Sequence, residues 1–183
     1  MTKNQPAFEC RRCGHCCRGT GGIVLTIKDR ARLAAHLGMT INAFTAAYGD
    51  RKGGKLHLGV REDSLCVFFE DGCAVHPARP DICRAWPYFR GNLADAVSWE
   101  MSFEYCTGIN PDVSHEEFVR QGLASLLAQG IDVTDDPEAP NALCLDGIKV
   151  PRRPDEPSQP GPSGQPNQPD QPDQNVLSRA KCE

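Results

Sequence analysis

Near the N-terminus the run Cys10-Arg11-Arg12-Cys13-Gly14-His15-Cys16-Cys17 holds two overlapping Cys-x2-Cys steps and ends on a vicinal pair. A Cys-x2-Cys step lets one tight turn aim two thiolates at a single metal while backbone N–H groups face the sulfurs. Gly14, directly after Cys13, suits the positive φ that such a knuckle often requires. The triple spacing Cys-x2-Cys-x2-Cys is also the local arrangement that sets three ligands on a 4Fe–4S cube, with a fourth arriving from elsewhere. Cys66, Cys73, Cys83 and Cys106 stand downstream to supply it. The expected metal ligands are therefore Cys10, Cys13, Cys16, Cys17, Cys66, Cys73, Cys83 and Cys106. They are enough for two four-thiolate sites, or for one site with a redox or structural remainder. Adjacent Cα atoms lie only about 3.8 Å apart, so Cys16 and Cys17 suit different irons or different sites. How the eight divide stays open.

The donor set bears on the metal. Zinc accepts histidine beside cysteine, whereas iron–sulfur clusters at this spacing favour cysteine alone. Eight thiolates need no histidine, so His15 and His76 are placed outside the ligand set. The overlapping triple spacing favours an iron–sulfur cluster, 4Fe–4S first, with zinc as the alternative cofactor. Lys3, Arg11, Arg12 and Arg18 against Glu9 make this segment basic. Guanidinium groups there, and Arg84 beside Cys83, would offset the negative charge of a thiolate site and tune it.

Several short elements must position these sulfurs. Ile23-Val24-Leu25 reads as a short strand. Thr26-Ile27-Lys28-Asp29 reads as a capping box with Asp for Glu, opening a helix that stops at Gly38. Thr40 caps a second helix over Ile41 to Tyr48, ended by Gly49. Lys55 to Val60 alternates as a strand, and so does Leu65 to Phe69. Glu70-Asp71-Gly72 turns the chain before Cys73, so one hairpin would gather Cys66 and Cys73. Pro80 and Pro87 stiffen both approaches to Cys83. Val97, Trp99, Met101, Phe103 and Tyr105 alternate as a further strand that Cys106 closes. Ser114-His115-Glu116-Glu117 is a full capping box for a helix running to Gly130. The fold class expected is a small α+β domain organised by metal.

Composition narrows the function. The chain has 183 residues, 20 Lys+Arg, 24 Asp+Glu and ten cysteines. A net charge of −4 argues against a dedicated nucleic-acid partner. No apolar run approaches the roughly 18 residues a membrane span needs. Met1 to Glu9 lacks the apolar core of a signal peptide, so a cytoplasmic location is expected. In a reducing cytosol ten thiols point to metal or redox chemistry rather than a disulfide framework. Ten of the 15 prolines lie between Pro137 and Pro172, and Pro154 to Gln174 holds no large apolar residue. Such a stretch cannot offset its ordering entropy. The organisation expected is a metal-binding domain over 8–130, a return segment over 131–150 and a disordered tail over 151–183. That tail would serve as a spacer or as a tether to a protein partner. Cys144 and Cys182 read as buried or incidental thiols.

Order, spacing and flanking residues together carry a resemblance. Phe8-x-Cys10-x2-Cys13-x2-Cys16-Cys17, then Cys66-Val67-Phe68-Phe69, Gly72-Cys73, Arg79-Pro80-x2-Cys83-Arg84-x-Trp86-Pro87 and Cys106-Thr107-Gly108 resemble the CxxCxxCC, YkgJ-like cysteine-cluster family. The resemblance implies a zinc- or iron-chelating domain over Phe8 to Gly108 and leaves the reaction undefined. Trp86 stands where Phe is more often expected. The cluster also resembles that of some flagellin lysine methyltransferases, which makes a metal-dependent enzyme the alternative. Those carry more chain, and no Gly-x-Gly-x-x-Gly loop for a nucleotide or methyl donor occurs here.

Overall fold

The computed structural model describes residues 5–131 and 139–151. The tail expected from 151 onward, Cys182 included, lies outside the described residues except for its first position. The architecture is α+β. Its sheet has three strands, β1 (Ile23–Val24), β2 (Gly49–Lys52) and β3 (Lys55–Leu58). They run antiparallel in the order β1-β3-β2, with Ile23 and Gly49 both opposite Leu58. Gly53 and Gly54 make the β2–β3 turn with φ of 57° and 79°, a two-residue connection suited to glycine.

Helix α1 (Ile27–His36) starts at Thr26 with the reciprocal box in place: Thr26 Oγ1 accepts from the Asp29 N–H, and Asp29 accepts from the Thr26 N–H. Helix α2 (Ile41–Tyr48) is capped by Thr40 and ends at Gly49. Short α3 (Asp81–Ala85) carries Cys83, and α4 (Arg90–Ala94) and α5 (Ala96–Met101) follow it. The long helix α6 (His115–Ala128) is capped by the Ser114 hydroxyl. Glu117, expected to reach back to the cap, bonds Gln121 at 2.6 Å and pairs with Arg120.

Two of the expected strands are corrected. Val97 to Tyr105 is α5 followed by a 3-10 turn, Ser102–Glu104. Asp95 decides this, because its carboxylate accepts from the Ser98 N–H at 2.7 Å and so caps a helix. Trp99, Ser102 and Cys106 are then buried on one face, while Val97, Met101 and Tyr105 are exposed. The second correction concerns Leu65 to Phe69, which forms isolated bridges: Arg18 with Leu65, Val60 with Cys66 and Phe69 with Cys73. Its backbone groups are shared among several segments, since Cys66 N–H donates to Cys17 O, Val67 N–H to Gly59 O and Phe69 N–H to Cys66 O. A continuous ladder cannot form when each residue has a different neighbour. The expected turn is present, with Asp71 and Gly72 at φ of 51° and 135°.

Two hydrophobic clusters form. One joins Leu25, Leu33, Phe44, Leu56, Leu58, Phe68 and Val75, with Cys66 and Cys73 packed against it. The other joins Tyr88, Leu93, Trp99, Cys106, Phe118 and Leu126, with Cys83 packed against it. Leu143 and Ile148 of the return segment belong to the second cluster. Cys144 is buried as expected, but it is disulfide-bonded rather than a thiol. The cysteines proposed as ligands thus straddle the seam between two cores. Among the described residues no helix is long and apolar enough to cross a membrane.

Candidate metal centre

The N-terminal cysteines are fixed at both ends of their run. Phe8 bridges Ile109, and Glu9 N–H donates to Gly108 O at 2.9 Å, which brings the Cys10 segment beside Cys106. That approach requires glycine at 108, where a Cβ would fall 2.3 Å from Glu9 O. Gly14 has φ 80°, and a Cβ on it would lie 2.3 Å from the Phe69 ring. The Gly14 carbonyl accepts from Cys17 N–H at 2.9 Å as His15–Cys17 winds into a 3-10 turn. Cys66 N–H donates to Cys17 O at 2.8 Å and joins the second cysteine pair to the first.

Cys10, Cys13, Cys16, Cys17, Cys73 and Cys106 line one pocket, and Cys83 joins Cys16 in a cleft beside it, against Trp86 and Tyr105. Cys66 reaches the group electrostatically. Burial pushes the thiols of Cys66, Cys73 and Cys83 above their ordinary value, and charge on their neighbours pushes the same way. Cys16 and Cys73 act on Cys66, Cys10 and Cys16 on Cys73, and Cys16, Cys66 and Cys73 on Cys83. Such effects are strong only between close groups. All eight are free thiols. Among the described residues, no three His, Cys, Asp or Glu side chains stand in a geometry that would already hold an ion. The sulfurs converge, and gathering them around an ion takes side-chain rotation on a backbone that is already folded.

The vicinal pair shares a proton unequally. A hydrogen bond from Cys17 is the main cause that lowers Cys16 to about 6, with the Arg79 charge assisting, while the same contact drives Cys17 strongly upward. This contact and the Arg79 charge favour the thiolate form of Cys16 at neutral pH. In the metal-free, reduced protein, alkylation at Cys16 should rise through an apparent pKa of about 6. Cys17→Ala, which removes the donor, should move that midpoint upward. Peptide mapping of iodoacetamide labelling from pH 5 to 9 measures it, and a Cys16 that labels with the midpoint of an ordinary thiol contradicts the assignment.

Positive charge is arranged differently from the expectation. Arg79 is the guanidinium that acts on Cys16, Cys73 and Cys83, and Arg61 acts on Cys66. Arg84 instead bonds Asp81 at 2.9 Å and the Gln129 carbonyl at 3.0 Å. Arg11 and Arg12 line the pocket wall, and Arg11 pairs loosely with Glu9 at 3.6 Å. Sequence reasoning missed Arg79, although its place in Arg79-Pro80-x2-Cys83 was a signal. His15 stands beside the cleft near Cys83, and His76 lines the pocket itself. Burial, then the Arg79 and Arg12 charges, hold the His76 imidazole below its ordinary pKa.

The donor set fits a thiophilic ion, because soft thiolates are the ligands of zinc and of iron–sulfur clusters. His76 Nε2, a buried polar atom with no hydrogen-bond partner among the described residues, belongs to a residue that lines the pocket. Residues 9–107 match the model of the CxxCxxCC family, described as "Putative zinc- or iron-chelating domain". No solved structure matches the chain.

Proposed function

This chain belongs to the CxxCxxCC family over more than half its length, and we propose on that premise that its cysteine pocket chelates zinc or iron as the functional centre of the protein. The observation that carries the reading is the convergence of cysteines from four separate stretches of chain on one seam between two hydrophobic clusters. Cys10, Cys13, Cys16 and Cys17 would supply the first donors, Cys66 and Cys73 the next, and Cys83 and Cys106 the last. When bound, zinc would supply folding energy, and a 4Fe–4S cluster would add one-electron redox chemistry. The tandem spacing of Cys10, Cys13 and Cys16 supports the cluster, which suits electron transfer or service as an accessory to a partner protein. Arg79 beside the sulfurs offsets their charge in either case.

Elemental analysis with absorption and EPR spectra of anaerobically purified full-length protein tests this. Iron and sulfide in matching amounts with a broad band near 400 nm are expected for the cluster, and a colourless protein with stoichiometric zinc for the alternative. A protein that retains neither metal and takes up neither on reconstitution refutes the proposal.

A further inference from the structure

His76 lies three residues after Cys73, and its N–H donates to the Cys73 carbonyl at 3.1 Å, so Cys73-Ala74-Val75-His76 closes a one-turn loop. The 3-10 turn His76–Ala78 begins on it. This loop has the form of the Cys-x2-Cys knuckle with imidazole in place of the second thiolate. His76 lines the same pocket as Cys10, Cys13, Cys16, Cys17, Cys73 and Cys106. Its Nε2 is buried, and among the described residues it has no hydrogen-bond partner. Leaving a buried imidazole nitrogen without a partner is unfavourable. Polar atoms in that position are nearly always satisfied by protein, water or a bound ion. Metal-ligating histidines offer one ring nitrogen and leave the other to a second group, an arrangement open to His76 through Nδ1.

From these observations we infer that His76 Nε2 is a ligand of the centre and pairs with Cys73 as a Cys-x2-His knuckle, so that the ion is held by mixed nitrogen and sulfur donors. The inference deepens the chelation reading and rests on it. It also departs from the sequence argument, which set histidine aside because eight thiolates already suffice. The number of donors is not the deciding fact, because a buried nitrogen nearly always has a partner, and six cysteines share the pocket that His76 lines.

The test uses full-length protein loaded with zinc and compares wild type, His76→Ala and His76→Cys. Competition against a chromophoric chelator should show at least tenfold weaker zinc binding for His76→Ala and recovery in His76→Cys. A long-range ¹⁵N–¹H correlation spectrum of zinc-loaded wild type should show Nδ1 carrying the proton and Nε2 unprotonated, with no titration between pH 6 and 8. Thermal unfolding of the metal-free forms should be nearly unchanged by either substitution, which separates ligation from packing. Wild type that binds zinc while His76→Ala binds equally well, or an Nε2 that carries a proton in the loaded state, overturns the inference and leaves the chelation reading standing. Wild type that binds no metal overturns both.

Discussion

Cys83→Ser is expected to lose both the metal and most of the cooperativity of unfolding. Cys83 sits in α3, partly buried against the second hydrophobic cluster, and it feels the charges of Cys16, Cys66 and Cys73. Those partners pack on the first cluster or belong to the N-terminal run. A bound ion would therefore add a direct connection across the seam, and structural zinc supplies about 10–16 kcal/mol at neutral pH. Whole domains are stable by only about 5–15 kcal/mol, so losing one ligand should reach the scale of the entire fold. Serine nearly matches the volume of cysteine and packs almost as well. The penalty should therefore be several kcal/mol with metal present and about 1 kcal/mol in metal-free protein. Denaturant unfolding of both proteins with and without a chelator measures the difference. An equal penalty in the two states would assign Cys83 to packing alone. Acid should mimic the substitution in wild type, because thiolates must be deprotonated to bind and the buried ones are held above their ordinary pKa.

What was readable in the sequence follows the range of each interaction. Caps were legible because they are settled within four residues: the hydroxyls of Thr26, Thr40 and Ser114 accept from the N–H groups of Asp29, Ala43 and Glu117. The α5 region misled because its alternating apolar residues satisfy a strand pattern, yet only Trp99 and the half-buried Phe103 use that pattern for packing. The local Asp95–Ser98 cap outweighed it. Strand β2 was missed because Gly49-Asp50-Arg51-Lys52 has no apolar face, although the Gly53-Gly54 pair that follows is a hairpin signal in its own right.

The candidate site was legible at the level of donors and not of their surroundings. Cysteine spacing marks eight sulfurs, and six of them line one pocket. The motif placed both Arg79 and Arg84 near Cys83, but only the fold shows that Arg84 is drawn away by Asp81 and the Gln129 carbonyl. His76 was dismissed by counting donors, a criterion that takes no account of burial. The disulfide at Cys144 also has no local signature in the sequence.

Arg32 ties helix α1 to the segment that leads into Cys83, and Arg32→Ala should destabilise the protein by about 3–5 kcal/mol. Its guanidinium donates to Asp81 at 2.7 Å and to the Arg79 carbonyl at 2.9 Å, and it also bonds Asp29. Asp29 is 1% exposed and further accepts the Asp81 N–H at 2.8 Å. One helix of the first cluster is thereby clamped to the segment that carries His76, Arg79 and Cys83. Without Arg32 the two carboxylates face each other in a buried site, with Arg84 still paired to Asp81. Burial, and then the charge on Asp81, already raise Asp29 above the ordinary carboxylate range. A raised carboxyl means the folded state binds its proton more tightly, so this contribution to stability grows as pH falls. The deficit of Arg32→Ala should therefore shrink between pH 7 and pH 5. Adding Asp29→Asn should recover part of it, because the amide oxygen can still accept the Asp81 N–H without carrying charge. Metal affinity should drop in Arg32→Ala and return in part with the double variant, since the clamp fixes the backbone on which three of the site residues ride. Urea unfolding at both pH values, with zinc competition on the same samples, decides the matter. A deficit below about 1 kcal/mol, or one that neither acid nor Asp29→Asn relieves, would mean that the seam is held by something other than this ionic cluster.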